Sequence, residues 1–236
     1  MRRAQPLPVS FVRRAPLYVV GFAVILSTMD EDFEHFLETM GPATSRRRVP
    51  AAHVARYRGR LPDQLLAYWK EYGWCGYADG LFWTVDPQPY EPVARAWLAA
   101  TPFGAEDEYH VIARSAFGDI YLLGGASGRK LHIIAPDATM MPPGRMQADG
   151  DRGVRAFFRS RRHAACDLTD ADGNDLFARA LARLGPLDHD AMYGFVPALA
   201  FGGPATLDRL QKVHAVEHLL LLAGLEPLQI LPSLSF

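Results

Sequence analysis

The sequence predicts an α+β protein, with a mostly antiparallel sheet and flanking helices in its N-terminal half and a helix-rich C-terminal half packed onto it. Three observations carry this expectation. Strand-like runs cluster between Tyr109 and Ala135. Amphipathic helical stripes lie on both sides of that cluster. The 18 prolines and 20 glycines in 236 residues interrupt the chain too often for a coiled coil or a helical repeat.

The elements follow in order. Residues 1–28 contain Arg2, Arg3, Arg13 and Arg14, then an apolar run over Leu17–Leu26. That pattern resembles a signal-peptide core, but the run is too short to span a bilayer and no small-residue cleavage site follows it. The reading favoured is an upstream extension, with Met29 beginning the folded chain. In 30–40, Phe33, Phe36, Leu37 and Met40 fall at helical spacing, acids crowd the first turn, and Gly41-Pro42 ends the element. Ser45–Pro50 reads as a basic turn. Residues 62–72 form a second helix, with Pro62 at its first position, a stripe of Leu65, Leu66, Trp69 and Tyr72, and Gly73 as the C-terminal cap. Gly73–Gly80 reads as an aromatic, glycine-hinged loop leading to a strand over Leu81–Val85. Val93, Trp97 and Ala100 mark a short helix.

Then the period changes. YHVIARS, DIYLLGG and RKLHIIAP are rich in β-branched, aromatic and leucine residues and are separated by glycine-bearing turns, which predicts a meander. The proline-rich Met140–Gly144 marks the expected boundary between a first domain over 29–140 and a second over 141–236. Gly153–Phe158 and Asn174–Leu184 read as helices, and Tyr193–Phe201 as an extended apolar segment broken by Pro197. Thr206–Ala223 reads as one long helix.

The charge balance narrows the function classes. The net charge is −1, but the four arginines of residues 1–28 meet no acid there, so the body over 29–236 has 21 basic against 26 acidic residues, a net −5. A mildly acidic body is poorly suited to holding nucleic-acid phosphates and better suited to a basic partner protein. Cys75 and Cys166 are the only cysteines, which provides neither a disulfide framework nor a zinc spacing and suits a reducing cytosol.

Several motifs invite a chemical reading. His214-Ala-Val-Glu217-His218 is literally H-x-x-E-H, in which two histidines one helical turn apart would hold zinc and Glu217 would act as base. A third ligand is needed, and only eighteen residues follow His218. A polar helix face is the plainer account. Asp170-Ala-Asp172-Gly173-Asn174-Asp175 resembles a calcium loop, but its glycine comes early and no glutamate stands at the twelfth position. A turn in which Asp172 or Asn174 caps the next helix fits better. Cys75, His110 and Asp79 can be assembled into a thiol-enzyme triad only arbitrarily. Gly124-Gly125-Ala-Ser-Gly128 lacks the lysine and spacing of a phosphate loop. No catalytic constellation survives, and no cofactor or metal is expected.

Two long stretches carry a resemblance. LPDQLLAYWKEYGWCGYADGLFWTVDPQPYEPVARAWL, followed by EYHVIARSAFGDIYLLG, resembles a GAD-like domain. MYGFVPALAFGGPATLDRLQKVHAVEHLLLLAGL resembles the C-terminal domain that accompanies it in bacterial type VI secretion immunity proteins. The resemblance implies a non-catalytic cytoplasmic protein, acting in bacterial competition. It would bind and neutralise a cognate nuclease toxin, a DNase of the HNH/endonuclease VII superfamily encoded beside it, without itself binding nucleic acid or membrane. A small-molecule or tRNA-related sensor is the alternative that the GAD name raises. The resemblance fixes no contact residues. The candidates chosen from the residues themselves are the exposed acids Asp79, Glu106, Asp107, Glu108, Asp188 and Asp190, and the loop aromatics Trp74 and Tyr77, which either anchor a partner or fold back on the core.

Overall fold

The computed structural model describes residues 30–141 and 150–232. The expectations for residues 1–28 and for Pro142–Gly144 lie outside the described residues.

Helix α1 (Glu31–Met40) starts where Asp30 accepts the Asp32 amide at 2.9 Å, and it buries Phe33, Phe36 and Met40. Strand β1 (Thr44–Arg47) replaces the expected basic turn. It forms one edge of the main sheet, where solvent-facing arginines discourage pairing with another chain. Helix α2 (Ala51–Tyr57) is too short for its two buried residues, Val54 and Tyr57, to declare a period. Helix α3 (Asp63–Tyr72) buries Leu65, Leu66, Tyr68 and Trp69, with Pro62 just before its first residue rather than on it. Gly73 ends it at φ +81°, where a Cβ would meet the Arg47 carbonyl.

The expected loop after Gly73 is half strand. β2 (Trp74–Tyr77) is buried throughout and pairs with both β1 and β3 (Phe82–Thr84), so only Ala78–Gly80 turns the chain. The sequence conceals this because both faces of β2 are covered, which removes the polar alternation of a half-exposed strand. Helix α4 (Pro87–Leu98) is longer than the short helix expected. Asp86 caps it, and its early prolines sit where amide hydrogens are not needed. After α5 (Phe103–Glu106), strands β4 (Tyr109–Ser115), β5 (Asp119–Gly124) and β6 (Lys130–Ile134) form the predicted meander. β7 (Thr139–Met141) continues it.

Helix α6 (Gly150–Arg159) lays Phe158 against Phe33 and Phe36, with each pair of ring centres 5.2 Å apart. Helix α7 (Phe177–Leu184) begins three residues later than expected, and its first amide goes to Asp167, not to Asp172 or Asn174. Asp170 instead pairs with Arg179, which with the amides of Asn174 and Asp172 holds its carboxyl down at about 2. The single helix expected over Thr206–Ala223 is instead a strand followed by a helix. β9 (Leu210–His214) pairs antiparallel with β8 (Ala191–Phe195), and α8 (Ala215–Ala223) follows at once. Leu207, Leu210 and Val213 mimic a helical stripe. The buried β8, however, needs a ladder partner for its backbone groups, and that tertiary demand overrides the local pattern.

The last strand, β10 (Gln229–Ile230), returns to pair in parallel with β7 and completes an eight-stranded sheet in the order β1-β2-β3-β4-β5-β6-β7-β10. A second tie lies at Arg114, which is fully buried. Its guanidinium donates to the carbonyls of Asp188, His189 and Ala191 at 2.7–3.2 Å, donates to the Tyr90 hydroxyl, and lies 5.2 Å from the Trp83 ring centre. Trp97 adds a bond to the Leu219 carbonyl at 3.1 Å. The two halves therefore share one core.

Candidate functional site

The catalytic alternatives are not assembled by the fold. His214 is the last residue of β9 and has extended backbone (φ −71°, ψ 122°), so H-x-x-E-H does not lie on one helix face. His214 is exposed and sits 3.9 Å from the exposed Glu217. His218 is buried beside Gly194, and burial pushes its pKa down. Among the described residues no group of three or more His, Cys, Asp or Glu is arranged to hold a metal. The Cys75 thiol donates to the Tyr72 carbonyl and is pushed up by burial, while neither His110 nitrogen has a hydrogen-bond partner. No Cys75–His110–Asp79 relay forms. In the glycine-rich turn after β5, the amides point inward. Gly125 donates to the Glu108 carbonyl, and Ala126 and Ser127 donate to Asp107.

The candidate contact residues separate into three groups. Trp74 and Tyr77 are 3% and 1% exposed. Trp74 packs edge-on to Trp69 and His53, and Tyr77 to Phe36. Of the two roles open to them, the structure gives them the core, and a partner could reach neither ring without opening β2.

Glu106, Asp107 and Glu108 sit just before β4. Asp107 is structural: burial works against its charge, but the Ser127 hydroxyl and three backbone amides more than offset that, so its pKa is lowered. Glu106 pairs with Arg129, and Glu108 lies 3.6 Å from Arg60. Both are exposed at the mouth of a groove of about 610 Å³ whose walls include Glu91, Arg95, Leu98 and Tyr109. Glu91 belongs with this group and was not among the expected candidates. Its signal is visible in hindsight, since it stands one helical turn before Arg95 on a helix whose other face is apolar.

Asp79, Asp188 and Asp190 form the third group. Asp79 is exposed on the β2–β3 turn, next to the end of β4, because Phe82 pairs with Ser115. Asp188 accepts the Asp190 amide, and Asp190 lies 3.5 Å from Arg47. Between them, His189 packs its ring 5.1 Å from that of Trp83. The seven residues of β4 separate this group from Glu106–Glu108 by roughly 20 Å at about 3.3 Å per residue. The acids thus form two clusters at opposite ends of one strand.

This fold has known counterparts. Residues 31–137 match the family model of the GAD-like domain, and residues 151–226 match the model described as "T6SS immunity protein Tdi1, C-terminal". A solved structure described as "Crystal structure of Atu4351 from Agrobacterium tumefaciens" shares the fold. Its TM-score is 0.77 at 21% identity, over 84% of this chain and 91% of that one. No curated protein matches the chain. The α+β body thus unites a GAD-like domain with a C-terminal domain of the type VI secretion immunity kind. The chain belongs to the type VI secretion immunity proteins that carry these two domains. Among its described residues, no helix is long and apolar enough to cross a membrane.

Proposed function

We propose that this chain neutralises a cognate DNase toxin of the HNH/endonuclease VII superfamily in the cytoplasm of the bacterium that makes both. It binds the toxin without performing chemistry and needs no metal or cofactor. The observation that carries the reading is the immunity-type domain over 151–226. The electrostatics support it. A DNase cleft must attract phosphate and so presents positive charge, and the net −5 body carries exposed acid at both ends of β4. Two clusters about 20 Å apart fit the two walls of a cleft better than a single point contact. Residues 29–140 and 141–236 are proposed as the two domains of this binder.

The test is reconstitution with the polypeptide encoded beside the chain. Purified together, the two proteins are expected to co-elute, and DNA cleavage by the toxin is expected to stop at a one-to-one ratio. Cleavage that persists at excess immunity protein would refute the proposal.

A further inference from the structure

Among the described residues the large apolar side chains exposed to solvent are Met141, Val196, Phe201, Leu221 and Ile230, and Phe201 is the most exposed at 69%. A lone exposed aromatic is unremarkable on a protein surface. Phe201 is not alone. It tips the loop between β8 and β9, and from Ala191 to Leu207 the chain carries no charged side chain. Val196 on the same loop is also exposed.

The loop is held in shape. Ala198 and Leu199 sit at its base, beside Phe117, Pro136 and Leu222. The tip closes through Phe201 N–H to the Ala198 carbonyl at 3.0 Å and Gly202 N–H to the Leu199 carbonyl at 2.8 Å. Arg209 reaches back from the start of β9 and donates to the carbonyls of Pro197, Gly202 and Pro204 at 3.4, 3.0 and 3.2 Å. Gly203, at φ +99°, leaves room for that guanidinium, and a Cβ there would collide with it. A phenyl ring presented on a clamped loop loses little freedom on binding, which is what an aromatic anchor requires.

We propose that Phe201 is the apolar anchor of the toxin interface and seats in an uncharged pocket on the cognate toxin. The inference rests on the proposed function, since it is the immunity-type domain that carries this loop. A second copy of the chain is a poor occupant. Two grooves on the described surface carry charge among their walls, one from Glu91, Arg95, Glu106 and Glu108, the other from Arg58 and Arg60. A smaller hollow of about 170 Å³ is rimmed by Lys130, His132 and Arg161. None of these three complements an uncharged loop.

The acids and the anchor should separate kinetically. Charge acts on encounter, while a desolvated ring acts on residence. The experiment measures association and dissociation rates of the full chain against a cleavage-inactive form of the toxin encoded beside it, at low and high salt, together with thermal midpoints. Phe201→Ala is expected to speed dissociation at least ~30-fold, as a hot-spot loss implies. Association should stay within about twofold at either salt, and the melting temperature should not change. Phe201→Trp should keep most of the residence time. Unchanged dissociation for Phe201→Ala, with wild-type binding intact, would overturn the anchor and leave the proposed function standing. So would a shift of the free protein from dimer to monomer with toxin binding unaffected, which would assign the loop to self-association. A wild-type chain that does not bind the toxin at all overturns both.

Discussion

The sequence places both Trp74 and Glu106 in loops, one as an aromatic that anchors a partner or folds back on the core and the other as an exposed acid, and they end in opposite environments. Trp74 packs against Trp69 and His53 inside the sheet layer. Trp74→Ala is expected to cost roughly 3–5 kcal/mol, read as a lower denaturant midpoint at unchanged m-value. Any loss of toxin binding should then track the loss of folded protein. Glu106 is exposed and paired with Arg129. Reversing Glu106, Glu108, Asp79, Asp188 and Asp190 together is expected to slow toxin association about tenfold or more at low salt, with the difference vanishing at high salt as the field is screened. Stopped-flow mixing across a salt series measures this, and salt-independent rates would contradict the steering role. The acids were visible in the sequence because loop carboxylates are mostly solvent-facing. Their division into two clusters was not, since it depends on which strand end each loop reaches. From the sequence Phe201 reads only as part of an apolar extended segment, because exposure of an apolar residue is a tertiary fact.

Elements with a period of their own were readable in advance, and elements made by their neighbours were not. The meander β4–β5–β6 and helices α1 and α3 announce themselves through β-branched and aromatic runs, glycine turns and apolar stripes. β1 and β10 are edge strands of four and two residues, and β9 exists because β8 needs a ladder. In such short segments pairing supplies the free energy that propensity lacks. The start of α7 shows the same dependence at a helix end. Its cap comes from Asp167, ten residues before Phe177, brought there by the bridge between Thr169 and Asp175. Asp167→Ala is therefore expected to destabilise the protein by about 1 kcal/mol, whereas Asp172→Ala should leave the denaturation midpoint unchanged. Equal losses would return the capping role to the nearer residue.

At the scale of the whole molecule, three histidines set a pH dependence. His110, His218 and His189 all have pKa values lowered below the ordinary histidine value, with burial the largest cause in each. The unfolded chain takes up protons on these rings near pH 6.5 while the folded chain resists. Their contribution to stability is therefore present above about 6.5 and is lost as pH falls through the lower folded values. The denaturant midpoint is expected to drop between pH 7.5 and 5.5, and His110→Phe should flatten part of that slope. An unaltered slope would mean that His110 protonates in the folded state. The Arg114 joint has a different kind of consequence. It reads the segment at 188–191 only through main-chain oxygens, which every amino acid possesses. The side chain at Asp188 can therefore change without leaving the buried cation unpartnered, and a change at His189 would cost its packing on Trp83 but not the Arg114 bonds. Substitution at the exposed Asp188 is expected to leave the joint beneath it closed.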